Sequence, residues 1–169
     1  MGKILNVTAS LLTALSITLS SCNTPGCTDN QISIPLAGFY SYNTLREISV
    51  DSISVGGVGA INDSLLLNTA SASKIYLPFR ANKDSTSYFI RYEAKKLNFP
   101  ELFDTRTFKY KRIPYFASEE CGAMYRYSIE KLNYTTHLID SVGLVDSLIT
   151  NADIETIRIY FRTEEKPNE

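Results

Sequence analysis

The run Lys74-Ile75-Tyr76-Leu77-Pro78-Phe79-Arg80 alternates apolar and polar positions, with Ile75, Leu77 and Phe79 on one side. It is one of several such runs. Thr86 to Tyr92 puts Tyr88, Ile90 and Tyr92 on one face, and Thr107 to Lys111 opposes Phe108 and Tyr110 to Lys109 and Lys111. Ala123 to Ile129 opposes Tyr125, Tyr127 and Ile129 to Met124, Arg126 and Ser128, and Thr156 to Arg162 opposes Ile157, Ile159 and Phe161 to Arg158, Tyr160 and Arg162. Side chains on a strand point alternately to opposite faces, so a period of two in β-branched and aromatic residues marks strands buried on one side. Each apolar face must meet another, which requires two packed sheets or a closed barrel. Further strands are expected at Ile32–Leu36, Arg46–Val55, Ser64–Leu67 and Thr136–Val145. The fold class expected is all-β: a single antiparallel β-sandwich, or a barrel-like relative, of roughly eight to ten strands.

Turn signals separate the runs. Gly56, Gly57 and Gly59 mark a hairpin loop or bulge rather than a phosphate loop, because Ala60-Ile61-Asn62 follows where Gly-Lys-Ser/Thr would be required. Asn82-Lys83-Asp84-Ser85 reads as a hairpin turn between two alternating strands. Pro78 lacks an N–H, which places its strand at a sheet edge or at a bulge. Two stretches are ambiguous: Tyr92 to Phe103, where a short helical turn would end at Pro100, and Val142 to Ile149, which is also compatible with a helix.

The amino terminus follows a different pattern. Lys3 precedes Ile4 to Leu19, uncharged and moderately apolar, which ends in Leu19-Ser20-Ser21-Cys22. A permanent span needs ~20 predominantly apolar residues, whereas a basic start, a short apolar core and small residues before a cut make a signal peptide. The aliphatic–small–small–Cys ending resembles the bacterial lipobox, whose cysteine takes a diacylglycerol through a thioether. An ordinary secretory signal with an incidental cysteine keeps export and loses only the lipid. Myristoylation of Gly2 fails because Asn6 stands where Ser or Thr is needed. The organisation expected is a signal peptide at 1–21, a lipidated tether at 22–30, a β-sandwich domain at 31–163 and a polar tail at 164–169. No acidic run follows Cys22, which points to the periplasmic face of the outer membrane.

The whole chain has a net charge of −1, and loss of Lys3 makes it one unit more acidic, so there is no basic field for nucleic acid. With Cys22 acylated, Cys27 and Cys121 remain, and an even pair in an exported protein suggests a disulfide. Such a bridge would close most of the domain into one loop, worth about 4–5 kcal/mol in the chain-entropy model. The alternative is a buried free thiol at Cys121.

Catalytic signatures are weak. His137 is the single histidine; no nucleophile elbow accompanies it, and a surface or hydrogen-bonded structural role is expected. One histidine and two distant cysteines make a poor zinc set, and neither Asn62-Asp63-Ser64 nor Asn151-Ala152-Asp153-Ile154-Glu155 has calcium-loop spacing. Glu119 and Glu120 diverge on a strand and read as a solvated edge. No metal and no cofactor is expected, nor an enzyme. The chain holds 11 Tyr and 8 Phe but no Trp. Tyr110, Tyr115, Tyr125, Tyr127 and Tyr160, with Tyr76, are candidates for an exposed aromatic surface that meets a protein or glycan. The opposing reading is cross-strand aromatic packing inside the sheets.

Glu120-Cys121-Gly122, Tyr125 to Ile129, Tyr134 to Val142, Ile157 to Phe161, and the earlier Ile34-Pro35-Leu36 and Lys74 to Phe79, resemble an uncharacterised family of Bacteroidota lipoproteins of unknown function. The resemblance spans most of the chain after the signal. It implies an envelope lipoprotein with a β-rich domain, and no functional residues to carry over. The function expected is therefore a membrane-anchored lipoprotein whose non-catalytic sandwich binds an envelope protein or glycan, or else a periplasmic inhibitor or accessory subunit of an envelope enzyme.

Overall fold

The computed structural model describes residues 32–61, 64–93 and 103–162. The expected signal peptide and polar tail, Cys22, Cys27, Asn62-Asp63 and most of the ambiguous Tyr92–Phe103 stretch lie outside the described residues. The strands are β1 (Leu36–Ser41), β2 (Val50–Gly57), β3 (Leu65–Ala72), β4 (Lys74–Tyr76), β5 (Ser85–Tyr92), β6 (Phe103–Ser118), β7 (Gly122–Tyr134), β8 (Ile139–Leu144), β9 (Leu148–Ile149) and β10 (Glu155–Phe161). They form an all-β sandwich of a four-stranded sheet, β4-β1-β10-β8, and a six-stranded sheet, β3-β2-β5-β6-β7-β9.

The inward rows are the alternating residues. Ile157, Ile159 and Phe161 of β10 and Ala37 and Phe39 of β1 face Ile53, Val55, Tyr88, Ile90, Phe108 and Tyr110 of the larger sheet in one core. Phe39 meets Phe161 edge-on at 5.2 Å, and Tyr92 of the opposite sheet meets the same ring at 6.4 Å.

Four expectations need correction. The first strand begins at Leu36, not Ile32, because Pro35 has no N–H to offer a ladder and the small Ala37-Gly38 pair is what fits beneath β10. Its pairing with β10 is parallel, the one departure from an antiparallel sandwich among the described pairings. Asn82–Ser85 does not close a hairpin. β4 lies in the four-stranded sheet and β5 in the six-stranded one, so this turn carries the chain across the sandwich. Pro78 is the cause: the ladder stops at Tyr76, and side chains of the other sheet bind the following backbone. Tyr88 Oη donates to the Pro78 carbonyl. The Arg80 N–H donates to Thr86 Oγ1 and Tyr110 Oη, both at 3.0 Å. Leu77 and Phe79 still point into the core. Finally, Val142–Ile149 contains no helix: β8 pairs with β10 and β9 pairs with Tyr127 and Ser128 of β7.

Candidate functional site

Three regions place chemically capable side chains together, and the first is internal. On β6 the inward row runs Asp104, Arg106, Phe108, Tyr110, all buried. Asp104 accepts from the N–H groups of His137 (2.8 Å), Leu138 (3.0 Å) and Ile139 (3.1 Å). It also accepts from Thr135 Oγ1 (2.8 Å) and Tyr92 Oη (2.9 Å). Burial pushes its pKa upward, but these donors outweigh burial and hold the carboxyl below its ordinary range. His137 is half exposed; its Nδ1 lies 2.7 Å from the Phe103 carbonyl oxygen and 3.4 Å from Asp104 Oδ1. The knot fixes residues 135–139 to the start of β6. His137 is thus a hydrogen-bonded structural residue, and Asp140, its sequence neighbour, binds Arg162 at 3.2 Å instead. Arg106 is fully buried, and Nε, Nη1 and Nη2 have no hydrogen-bond partner. Desolvation lowers its pKa to about 10, against the attraction of Tyr92 and Asp104.

The second region is the far end of the β6–β7 hairpin. β5 pairs with β6 only as far as Lys109, and β9 reaches only Tyr127 and Ser128. From Ile113 to Ser118 the hairpin therefore has, among the described residues, only its own two strands as ladder partners, a reach of about 20 Å at ~3.3 Å per residue. The Tyr110 N–H points to the Asp84 carbonyl. By strand alternation the missing N–H of Pro114 falls on that same side, now an open edge, where a proline is tolerated and blunts further strand addition. Gly122 closes the turn with φ 68°, left-handed backbone that glycine adopts without steric cost.

This end of the hairpin is aromatic and exposed. Phe116 is 69% exposed, Tyr125 45% and Ile113 40%. The Arg126 guanidinium lies 4.1 Å from the Tyr115 ring centroid, and Arg112 lies 5.9 Å from that of Tyr125. Arg112 Nη1 also donates to the Ala81 carbonyl, which pins it. A cavity of about 450 Å³ opens at the root of the hairpin, lined by Lys83, Asp84, Lys111, Arg112, Pro114 and Tyr125. Lys111 pairs with Glu130 at 2.5 Å, while Lys83 and Arg112 have no carboxylate in ion-pairing range among the described residues. A second cavity of about 360 Å³ shares Tyr125 and is lined by Ile32, Ser33, Phe79, Cys121 and Met124. Ser33 Oγ donates to the Tyr125 carbonyl at 2.7 Å there.

The third region lies on the smaller sheet. Tyr160 packs on Tyr40 at 5.7 Å, and Tyr40 Oη donates to Glu155, which also accepts from Arg158 Nε at 2.9 Å. Tyr76 donates to Asp153 at 2.6 Å, so the Asn151–Glu155 stretch serves as a turn with a satisfied carboxylate.

The expected tyrosine surface is therefore divided. Tyr110 and Tyr127 are core residues, 2% and 6% exposed, and are corrected accordingly. Tyr110 stacks on Phe79 at 4.3 Å and meets Tyr127 edge-on at 5.3 Å, the aromatic packing that alternation predicts for inward positions. Tyr115 and Tyr125 lie on opposite faces of the hairpin, and Tyr160 belongs to the opposite sheet. Arg112, Pro114, Phe116 and Arg126 join them without a motif to announce them. Cys121, in the hairpin turn, is disulfide-bonded. Among the described residues no group of three His, Cys, Asp or Glu gathers as a metal site.

Residues 52–161 match a family described as a family of unknown function (DUF6452). The chain belongs to this family. The matched stretch begins within β2 and runs to the end of β10, so it contains the Asp104 knot and the whole hairpin, and leaves β1 outside. No curated protein and no solved structure matches the chain.

Proposed function

We propose that this protein is an exported lipoprotein, anchored through lipid on Cys22 to the periplasmic face of the outer membrane, whose β-sandwich is a non-catalytic module that binds an envelope protein or glycan. The observation that carries the address is Leu19-Ser20-Ser21-Cys22 behind an uncharged apolar stretch and Lys3. The similarity to Bacteroidota lipoproteins supports it. Two or three acyl chains hold a protein stably where one does not. With Cys22 given to lipid, Cys27 is the partner of Cys121, and the bond at Cys121 supports that pairing.

Binding is supported by the root of the hairpin. Arg112 and Tyr125 are held in place, Lys83 has no carboxylate in ion-pairing range among the described residues, and the cavity is of the size that ligand sites occupy. Buried Asp104 and the hydroxyls of Tyr88, Tyr92 and Tyr110, by contrast, are consumed in structure. The extended hairpin, with Phe116 exposed, also favours the second reading, an inhibitor or accessory subunit of an envelope enzyme.

The test is the intact mass of protein from the membrane fraction, with and without reductant. Residues 22–169 plus acyl chains, with two thiols alkylated only after reduction, is the expected result. An unlipidated mass overturns the anchor, and two free thiols overturn the bridge. A photo-crosslinker at position 125 then captures the partner. Crosslinks to an enzyme whose activity falls on addition of this protein select the second reading.

A further inference from the structure

We infer that the turn end of the β6–β7 hairpin is the membrane-facing pole of the domain, with Phe116 and Ile113 resting in the headgroup layer of the bilayer that carries the anchor. The inference rests on the lipoprotein reading above and adds an orientation to it.

Both covalent routes from the domain toward Cys22 leave from this end. Ile32, where the described chain begins, lines the same cavity as Cys121, and Ser33 is tied to the backbone of Tyr125. Along the main chain, Cys22 is ten residues before Ile32, a reach of about 35 Å at most. Through the Cys27–Cys121 bond the route is shorter. Five residues span at most about 18 Å, and a disulfide adds roughly 5.5 Å between its Cα atoms. The Cα of Cys22 therefore lies within roughly 24 Å of the hairpin turn.

The surface at this end suits a bilayer interface. Phe116 is 69% exposed and Ile113 40%, one on each face of the hairpin close to its turn. The formal charges around them cancel, Arg112 and Arg126 against Glu119 and Glu120. The match is to zwitterionic headgroups rather than to a field of anionic lipid. The opposite end, where β6 starts, lies roughly 40 Å away along the strand at ~3.3 Å per residue. It carries Phe103, half exposed, and His137. In this orientation the cavity lined by Lys83, Arg112 and Tyr125 opens close to the membrane, so the partner is met at the bilayer surface.

The chain has no Trp, so one substitution makes a single fluorescent reporter. Phe116→Trp and Phe103→Trp replace exposed aromatics at the two ends. Each full-length lipidated variant is reconstituted in phosphatidylethanolamine vesicles containing brominated phosphatidylcholine. The expected result is a blue-shifted emission from position 116, quenched at least twofold more than that from position 103. Adding Cys27→Ser to Phe116→Trp should reduce the quenching, because only the longer tether remains. Equal quenching at both ends, or stronger quenching at 103, overturns the orientation. Flotation separates the two failures. Protein that floats with vesicles while position 116 stays unquenched refutes the pole alone, whereas protein that does not float refutes the anchor as well.

Discussion

Asp104→Ala tests the knot at the start of β6, and its cost can be worked from the contacts. The carboxylate accepts from five donors. Two of these bonds, from the Tyr92 hydroxyl and the Ile139 N–H, are buried away from water. Stranding a buried donor costs about 1–3 kcal/mol, so these two alone account for about 4 kcal/mol. The remaining three donors are part-buried and regain most of their bonding from solvent, adding about 1 kcal/mol. Removal also takes the carboxylate from beside the Arg106 guanidinium, which makes the sum a lower bound. Against a typical domain stability of about 5–15 kcal/mol, the variant should lose about a third or more of its stability. Asp104→Asn keeps one acceptor oxygen and should lose about half as much. The assay is equilibrium urea unfolding followed by circular dichroism, read as the shift in midpoint at constant slope. Acid adds an independent check. Asp104 has its pKa lowered by folding, so its contribution is complete above the unfolded carboxyl value of about 4. It is lost as pH falls through the lower folded value. The parent protein should therefore lose stability below pH ~4 more steeply than Asp104→Asn. A loss under about 1.5 kcal/mol for Asp104→Ala, or parallel acid profiles, would refute the reasoning.

Three further perturbations bear on other parts of the fold. Arg106→Met replaces a fully buried guanidinium without hydrogen bonds by an apolar chain of similar length; the relieved desolvation is partly offset by the lost attraction to Asp104, which keeps its five donors, so the unfolding free energy should rise by only about 1 kcal/mol, checked by urea titration. Tyr110→Phe removes the hydroxyl shared by Thr86 and both backbone groups of Arg80, and should cost about 1–3 kcal/mol; a surface tyrosine would show no change. Gly56→Ala would set a Cβ 2.6 Å from Phe89 Cζ and 2.9 Å from Leu65 Cδ2, so a loss of about 1–3 kcal/mol is expected in thermal unfolding.

The strands were legible where inward positions are apolar. Thr156–Arg162 and Thr86–Tyr92 lie within one residue of β10 and β5, because every second residue is an aliphatic or aromatic core group. β6 was cut short at its start for the opposite reason. Asp104 and Arg106 occupy inward positions, and a charged residue in a core row reads as a solvent face. Its other half was missed because Pro114 and exposed Ile113 and Phe116 break the polar–apolar alternation once the hairpin leaves the sheet. Composition marks Asn82–Ser85 as a turn without saying which sheet receives the next strand; that depends on Pro78 ending the ladder. The tyrosines show the same limit. Alternation places Tyr110 and Tyr127 correctly on an apolar face, yet that pattern alone does not separate them from Tyr125, whose rim position follows from the length of the hairpin.

The parallel contact of β1 with β10 joins the first strand of the domain to the last, with more than a hundred residues between partners such as Phe39 and Ile159. The smaller sheet is therefore assembled around a strand that leaves the ribosome, and any export channel, after everything it holds together. Among the described pairings β8 has no partner other than β10, and β1 has only the three-residue β4 and a single bridge from Tyr40 to Glu47. Closing so long a loop is entropically costly and slow. A chain cut short by even its final strand would present open edges on both sides of the gap, and quality control in the cell would meet it as an unfinished protein rather than a slightly weakened one.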